Sequence, residues 1–170
     1  MSRIAIRPEQ PGDRDAVRRI HEAAFGQPDE ARIVERLRAS PGCLSLVAAA
    51  GAVPVGHLLL TPVRIEGAAG GPTTMGLGPM AVLPEHQRQG IGSQLVHAAI
   101  EECRRAGHAL LLVVGHPAYY PRFGFVPAAT LGLRFEREVA REAFLALELG
   151  ERALPRLGGT VRFPPEFWQT

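Results

Sequence analysis

The apolar residues of this chain recur with two different periods. Ile4 and Ile6 alternate with polar neighbours, which predicts a strand. Between positions 14 and 25 the apolar residues instead return every three or four positions, which predicts a helix. Clusters of Gly and Pro separate such segments. The pattern predicts, in order, a strand at 3–7, a helix at 14–25, a second helix that Asp29 can cap and that carries Leu37, and strands at 43–50, 55–65 and 75–83.

The second half of the chain continues this pattern. Leu95, Ala99 and Cys103 keep an i, i+4 spacing and predict a helix at 91–106, which Gly107 can end. The unbroken apolar run at 109–114 is typical of a strand buried on both faces. Beyond it we expect a short helix from His116 through Tyr120 and strands at 144–149 and 159–163.

The order of these elements favours one architecture. A strand, two helices and three meandering strands precede the helix at 91–106, which links two strands as a crossover. This order predicts an α+β fold with a mixed sheet and one strand–turn–helix–strand crossover. No internal repeat and no linker interrupts residues 1–170, so we expect a single domain.

The composition indicates the cellular environment of the protein rather than its chemical function. Its 46% hydrophobic residues are typical of a globular protein. No apolar run approaches the roughly 20 residues that a membrane-spanning helix needs, and the N-terminus lacks the apolar stretch of a signal peptide. Cys43 and Cys103 are too few for a disulfide framework or a zinc site. We therefore expect a cytoplasmic protein that binds neither a membrane nor a metal.

The basic residues argue against two classes of function. All 19 of the Lys and Arg residues are Arg, and they are scattered along the chain. This distribution does not favour a nucleic-acid partner. The phosphate-binding P-loop needs a Lys, which this chain lacks. Any cationic side chain that contacts a phosphate must therefore be Arg or protonated His.

Residues 87–92, Gln-Arg-Gln-Gly-Ile-Gly, lie where a predicted strand turns into the helix at 91–106. A helix N-terminus presents backbone N–H groups and a partial positive charge to an anion. Gly90 and Gly92 allow the backbone to approach that anion closely. The segment therefore predicts a pyrophosphate site. Leu95 stands where the dinucleotide-binding fingerprint needs its third Gly, so the remaining alternative is a glycine turn that merely starts a helix.

Two motifs together resemble the GNAT superfamily of N-acetyltransferases. The acetyl-CoA signature of that family, Gln/Arg-x-x-Gly-x-Gly/Ala after a strand, matches at Gln87, Gly90 and Gly92. Residues 120–125, Tyr-Pro-Arg-Phe-Gly-Phe, are similar to the family's Tyr-x-x-x-Gly-Phe. Past Phe125 the likeness is weaker and lies with bacterial N-acetyltransferases of unsettled substrate. The resemblance implies the GNAT acyl-CoA N-acyltransferase fold, a predominantly antiparallel central sheet flanked by helices, and acetyl-CoA as co-substrate.

The resemblance also implies a place for each part of acetyl-CoA. The strand before the signature would pair with the pantetheine arm as an added strand does, and the pyrophosphate would lie on backbone N–H groups at 88–93. Gly78-Pro79 is consistent with an interrupted ladder beside the pantetheine, or simply with a sheet edge. The residues expected to bind the co-substrate are Met80, Ala81, Val82, Gln87, Arg88, Gln89, Gly90, Ile91, Gly92 and Ser93.

Two residues receive catalytic roles from the same resemblance. Tyr120 matches the family's general acid, which protonates the departing thiolate; packing against nearby Phe rings is the alternative. The strands at 75–83 and 109–114 contain no carboxylate, so His116 is the candidate general base. Capping of the following helix is the alternative role for His116, and a chain of waters is another route for the proton. His57 could face either the acceptor cleft or the core.

The acceptor would bind near the first two helices, at about residues 25–29, and near the turn at 64–74. These segments show neither an acid cluster nor an aromatic cage, so we expect a small-molecule or peptide amine without naming it. A homodimer is compatible with this interpretation.

The expected activity is acetyl transfer by direct attack of the amine in a ternary complex. A non-catalytic acyl-CoA-binding or sensing domain is the alternative that the missing carboxylate favours, and a nucleotide- or nucleic-acid-binding module is the third.

Overall fold

The computed structural model of the protein describes residues 3–67, 73–151 and 153–169. Three α-helices lie in these residues: α1 (Arg14–Phe25), α2 (Asp29–Leu37) and α3 (Ile91–Arg105). The strands are β1 (Ile4–Pro8), β2 (Leu44–Ala50), β3 (Val53–Glu66), β4 (Thr74–Val82), β5 (Leu110–Val114), β6 (Val126–Pro127), β7 (Leu133–Phe135), β8 (Phe144–Glu148) and β9 (Gly159–Arg162). Short 3₁₀ turns lie at Pro11–Asp13, Pro84–His86, Tyr120–Phe123, Ala128–Leu131, Arg141–Ala143 and Pro165–Trp168.

The chain groups into two compact units. One comprises Met1–Leu60, Gly78–Ala99 and Pro165–Thr170. The other comprises Thr61–Leu77 and Ile100–Pro164. β3, β4 and α3 each contribute residues to both units, because the boundaries fall inside these elements.

In the first unit, β1, β2 and the beginning of β3 form an antiparallel meander. β1 pairs with β2 from Ile4 opposite Ala50 onward, and the hairpin from β2 to β3 needs only the two residues at 51–52. Gly51 has a positive φ of 63°. Glycine adopts this conformation readily because it has no side chain, and so tight a turn requires it. The ladder between β2 and β3 is irregular between Ala48 and Ala49.

The helices α1 and α2 cover one face of this meander. Their apolar stripes recur at helical spacing, and the inward residues of β2 and β3 alternate with a period of two. The two patterns meet in a cluster of almost fully buried side chains, which consists of Val17, Val34, Leu37, Val47, Ala49 and Leu59.

In the second unit, the first four residues of β5 are at most 1% exposed. Burial on both faces explains why its sequence is an unbroken apolar run. β5 pairs in parallel with β4 and antiparallel with β8, which also pairs with β6. β9 pairs antiparallel with the end of β3 and in parallel with β7. The described pairings are therefore mostly antiparallel.

The structure confirms the predicted α+β class, the mixed and mostly antiparallel sheet, and the crossover from β4 through α3 to a parallel β5. Two details were wrong. The expected helix from His116 is instead a 3₁₀ turn at Tyr120–Phe123, because Pro121 lacks the N–H that an α-helix would use there. Asp29 is the first residue of α2, and Pro28 occupies the N-cap position.

Two strands of the structure, β6 and β7, have no counterpart in the sequence prediction. They are only two and three residues long, which is too short for a period of two to be visible. Residues 68–72 of the expected acceptor turn at 64–74 lie outside the described residues. Among the residues that are described, no helix is long and apolar enough to cross a membrane.

Gly76 tests the packing of the second unit. A Cβ at this position of β4 would lie 2.5 Å from Cζ of Phe163 and 2.9 Å from Cγ1 of Val63. We expect Gly76→Ala to lower the free energy of unfolding by about 1–3 kcal/mol, since the ring has to move. Urea denaturation measures this change. Gly12→Ala is the matched control, because a Cβ at Gly12 meets nothing within 4 Å; equal stability of the two variants would contradict the described packing.

Candidate active site

The segment with the predicted phosphate-binding sequence joins the end of β4 to the start of α3. The N–H of Leu83 donates to the carbonyl of Val55 at 2.8 Å, which fixes the end of β4 to β3. The N–H of Gln94 then donates to the carbonyl of Gly90 at 3.1 Å, the first hydrogen bond of the helix. The N–H groups of Ile91 and Gly92 precede this bond and have no acceptor within the helix. An anion at this end of α3 would receive them.

Small residues on the sheet bring the first turn of α3 close to β3. An added Cβ at Gly56 would lie 3.2 Å from Cδ1 of Leu95 and 3.3 Å from both Cβ of Ala48 and Cγ2 of Ile91. These are tight distances, so a larger side chain at Gly56 would push the helix away. The position of the helix N-terminus therefore depends on Gly56 and Ala48, which are paired on neighbouring strands.

The loop before α3 contains two residues with left-handed backbone conformations. Arg88 has φ of 62°, and Gly90 has φ of 82°. A left-handed conformation costs about 1–2 kcal/mol at a residue with a side chain such as Arg88. Such strain is concentrated at ligand-binding loops, and turns of this kind direct successive N–H groups into anion-binding concavities. The geometry supports the predicted pyrophosphate site.

The side chain of Gln87 has a structural role that the sequence did not reveal. Its Nε2 donates to the carbonyl of Val82 at 2.9 Å, so this amide holds the loop to the end of β4. The other residues expected to bind the co-substrate are placed as follows: Ala81, Val82 and Ile91 are buried, Met80, Gly92 and Ser93 are half-buried, and Arg88, Gln89 and Gly90 are exposed.

The ladder between β4 and β5 ends where the sequence allowed an interruption. The paired residues run from Thr74 opposite Leu110 to Leu77 opposite Val113, and the cis peptide bond of Gly78-Pro79 follows at once. Pairing of β4 with β5 therefore ends directly before Gly78, a position that fits both alternatives stated for Gly78-Pro79.

Tyr120 is buried at the start of the 3₁₀ turn after β5. Only 7% of the residue is exposed, and its ring packs against Phe125 with the ring centres 5.6 Å apart. Burial raises the pKa of the Tyr120 phenol above its ordinary value, and neighbouring Tyr119 adds to this effect. The phenol therefore keeps its proton at neutral pH. No hydrogen bond joins its hydroxyl to another described residue.

Gly115 makes room for the Tyr120 ring. A Cβ on Gly115 would lie 2.3 Å from Cε2 of Tyr120, so the ring rests directly on the backbone after β5. His116 follows on the surface, and its Nδ1 accepts a hydrogen bond from the N–H of Ala118 at 3.2 Å. The carbonyl of His116 also accepts a hydrogen bond from the N–H of Tyr120 at 3.4 Å. Both predicted catalytic side chains thus belong to one short turn.

The structure reveals a buried pair of histidines that the sequence did not connect. His21 on α1 and His57 on β3 are both 0% exposed. Nε2 of His21 lies 2.8 Å from Nδ1 of His57, and Nε2 of His57 lies 2.6 Å from Oγ of Ser45. His57 therefore faces the core beneath α1. The sequence shows one His among the apolar residues of α1 and one among those of β3. It does not show that the two meet, because their contact depends on how α1 packs on the sheet.

Burial is the main cause that lowers the pKa values of both rings. It lowers the pKa of His21 from 6.5 to about 4, with Arg38 as the second cause. It lowers the pKa of His57 well below its ordinary value, with smaller effects of His21 and Arg38. At neutral pH both imidazoles are therefore uncharged.

The thiol of Cys103 is poorly suited to act as a nucleophile. Cys103 is buried, and burial raises the pKa of its thiol to about 11, so it carries little thiolate. Across residues 3–67, 73–151 and 153–169 there is no group of three or more His, Cys, Asp or Glu side chains that could hold a metal ion.

Comparison with known proteins agrees with this geometry. Residues 14–125, more than half of the chain, match the acetyltransferase (GNAT) family. The chain belongs to this family. The uncharacterized N-acetyltransferase YhbS of Escherichia coli K12 is 31% identical over 168 residues, which span 96% of this GNAT chain and 98% of YhbS. YjhQ of the same strain, also named an uncharacterized N-acetyltransferase, is 38% identical over 120 residues, which span 69% of this chain and 66% of YjhQ.

Solved structures share the fold of this GNAT acetyltransferase. The crystal structure of E. coli YhbS in complex with CoA matches with a TM-score of 0.91 and 30% identity, over 99% of this chain and 94% of that one. A GNAT family acetyltransferase from Brucella melitensis in complex with acetyl-CoA matches with a TM-score of 0.80 and 33% identity, over 98% and 99% of the two chains.

The buried histidines predict how stability depends on pH. The unfolded chain takes up protons at its histidines near pH 6.5, whereas folded His21 takes one up only near pH 4. The stability that neutral His21 contributes is therefore fully present above about pH 7, and it is lost as the pH falls from 6.5 towards 4. We expect His21 alone to contribute a loss of about 2 kcal/mol at pH 5, measured by urea denaturation.

Two variants separate this effect from general acid sensitivity. His21→Gln removes one of the two titrating rings and should reduce the change between pH 7.5 and 5 by about 2 kcal/mol, leaving the part that is due to His57. His97→Gln, at an exposed position of α3, should keep the full change. A wild-type protein equally stable at pH 7.5 and pH 5 would show that the histidines are not held neutral.

Proposed function

We propose that this GNAT acetyltransferase moves the acetyl group of acetyl-CoA to a primary amine by direct attack in a ternary complex. The observation that carries the proposal is the strand–loop–helix segment, in which the N–H groups of Ile91 and Gly92 precede the first hydrogen bond of α3 and Arg88 and Gly90 are left-handed. Membership of the GNAT family supports acetyl-CoA as the ligand of this site. The related YhbS and Brucella structures contain CoA and acetyl-CoA, respectively.

The donor would be held by backbone more than by side chains. Residues 80–82 would pair with the pantetheine arm as an added strand, since pairing of β4 with β5 ends at Leu77. N–H groups between Arg88 and Ser93 would receive the pyrophosphate, with the helix dipole adding attraction. The Arg88 guanidinium is exposed beside this loop and is the cation that the segment supplies.

Two residues of the turn after β5 would manage protons at the reaction centre. When the thioester carbon–sulfur bond breaks, the thiolate needs a proton, and the buried phenol of Tyr120 holds one at neutral pH. The attacking nitrogen loses a proton after it bonds to the acetyl carbon. His116 is the proposed acceptor of that proton through Nε2, because its Nδ1 is engaged by Ala118.

A second function, a non-catalytic acyl-CoA-binding or sensing domain, has one observation in its favour. Neither β4 nor β5 carries a carboxylate that could act as base. Such a domain would bind acetyl-CoA without releasing thiol in the presence of any amine. A panel with an alkylamine, a polyamine, a lysine-containing peptide and a peptide with a free N-terminus distinguishes the two functions.

Removal of one hydroxyl tests the catalytic assignment. We expect Tyr120→Phe to slow thiol release from acetyl-CoA about 10²- to 10⁴-fold with the best amine of the panel, since the thiolate loses its acid. Acetyl-CoA binding, measured by calorimetry, should be unchanged because the phenol is not part of the phosphate loop.

Tyr119→Phe is the matched control. Tyr119 is the neighbouring phenol, and its ring contacts the Arg122 guanidinium at 4.5 Å, an interaction that a Phe ring preserves. This variant should keep near wild-type turnover. Full activity of Tyr120→Phe, or an equal loss in both variants, would show that Tyr120 is not the general acid.

A further inference from the structure

A continuous chain of hydrogen bonds runs through the first unit. The Arg38 guanidinium binds both carboxylate oxygens of Glu9, at 2.7 and 3.2 Å. Ser45 Oγ donates to Glu9 Oε1 at 2.7 Å and lies 2.6 Å from Nε2 of His57. Nδ1 of His57 lies 2.8 Å from Nε2 of His21. α1, β2 and β3 each supply one member, and the other two are Glu9 directly after β1 and Arg38 directly after α2.

The donor and the acceptor of every hydrogen bond between Glu9 and His21 can be assigned. Ser45 has one hydroxyl proton, and Glu9 takes it, because a carboxylate can only accept. Nε2 of His57 must then carry a proton and donate it to Ser45 Oγ. Nδ1 of the neutral His57 ring therefore accepts from the Nε2–H of His21. It follows that Nδ1 of His21 presents a lone pair.

That lone pair has no partner among the described residues, although His21 is 0% exposed. An unsatisfied buried acceptor costs about 1–3 kcal/mol, so the position calls for an N–H or O–H donor. Phe25, one turn further along α1, stacks parallel to the His21 ring at 6.0 Å. Phe25 is itself 43% exposed and begins the link from α1 to α2.

The opposite end of the chain reaches a cleft. Glu9, Arg38 and Ser45 line an open cleft of about 320 Å³, together with Arg14. A proton that arrives at the Glu9 carboxylate can therefore pass to water. The hydrogen bonds therefore connect the lone pair of His21 Nδ1, under α1, with solvent in the cleft beside Glu9.

The histidine end lies beside the strand proposed to hold the donor. β3, which carries His57, is the neighbour of β4 in the sheet. Val55, two residues before His57 on β3, accepts a hydrogen bond from the N–H of Leu83 at the end of β4. His21 lies one turn before the link from α1 to α2, where the acceptor is expected.

We propose that this chain takes one proton from the ammonium form of the acceptor at His21 Nδ1 and releases it into the cleft beside Glu9. This inference rests on the proposed function. The N–H bond of the ammonium breaks, and a proton bonds to His21 Nδ1. The His21 Nε2 proton moves to His57 Nδ1, the His57 Nε2 proton to Ser45, and the Ser45 proton to Glu9. Neutral amine remains, and Glu9 gives its new proton to water. The proposal requires the exposed Phe25 ring, which stacks on His21, to move aside when the acceptor binds.

Proton balance gives this chain a task separate from that of His116. An ammonium ion must lose two protons to become an amide, while the thiolate takes up one. His116 and Tyr120 would handle the proton lost after attack and the proton given to sulfur. The remaining proton has to leave before attack. Burial keeps the pKa values of His21 and His57 low, so neither ring would retain it at neutral pH.

The pH dependence of turnover tests the proposal, with acetyl-CoA and the best alkylamine of the panel as substrates. At pH 7 His21→Gln and Ser45→Ala should each lower kcat about 10²-fold. Above the pKa of the amine, near 10, the substrate is already neutral, so both variants should approach the wild-type rate. His116→Gln should stay slow at every pH.

Controls separate this result from loss of structure or of donor binding. His97→Gln and Ser40→Ala make the same chemical changes outside the chain of hydrogen bonds and should follow the wild-type profile. Calorimetry should show unchanged acetyl-CoA binding by every variant. The relay would be overturned if the wild-type enzyme turns over the amine and both His21→Gln and Ser45→Ala lose the same fraction of activity at every pH. That result would leave the proposed function unaffected.

Nitrogen-15 NMR of the histidine rings tests the direction of the chain without any acceptor. At pH 7 both His21 and His57 should be neutral and protonated at Nε2. In Ser45→Ala the His21 ring should keep this form. A proton on Nδ1 of His21, or a charged ring at pH 7, would rule out the proposed direction of transfer.

Discussion

The close approach of α3 to the sheet is the constraint on which the donor site depends. A helix offers its N-terminal N–H groups to an anion only if its first turn is held in a fixed position. Here there is no room for a side chain at Gly56, since an added Cβ would lie 3.2 Å from Leu95 and 3.3 Å from both Ile91 and Ala48. The loop before the helix is fixed in turn by the bond from Gln87 to Val82. The strain at Arg88 is maintained because both ends of the loop are held.

The same first unit contains polar groups in places that a purely apolar core would avoid. A buried His pair is costly unless its nitrogens are hydrogen-bonded. Three of the four ring nitrogens are satisfied by one another and by Ser45, and the fourth, in His21, is not. The surrounding cluster of Val and Leu residues on α1, α2, β2 and β3 stabilises this arrangement. The unsatisfied nitrogen is the atom at which the proposed relay would receive its proton.

Much of the fold could be predicted from the sequence because its long elements have strong local signals. The bounds of α1 were correct to the residue, and β5 was recognised from its unbroken apolar run. The loop before α3 could be predicted as a candidate phosphate site because its glycines and its position before a helix are local features. β6 and β7 were missed because they are held by pairing with β8 and β9, distant in sequence. The contact between His21 and His57 was missed for the same reason: it joins residues 36 positions apart across a helix–sheet interface.

Calorimetric titration with acetyl-CoA, CoA, ATP and NAD under identical conditions tests the central claim most directly. The account predicts binding of acetyl-CoA and CoA, and much weaker binding of ATP and NAD, which lack the pantetheine arm. A ligand present at about 100 times its Kd should also stabilise the fold by about 2.7 kcal/mol. Absence of binding by acetyl-CoA and CoA, or binding of ATP or NAD with equal affinity, would contradict the assignment of the loop before α3 as a coenzyme A pyrophosphate site.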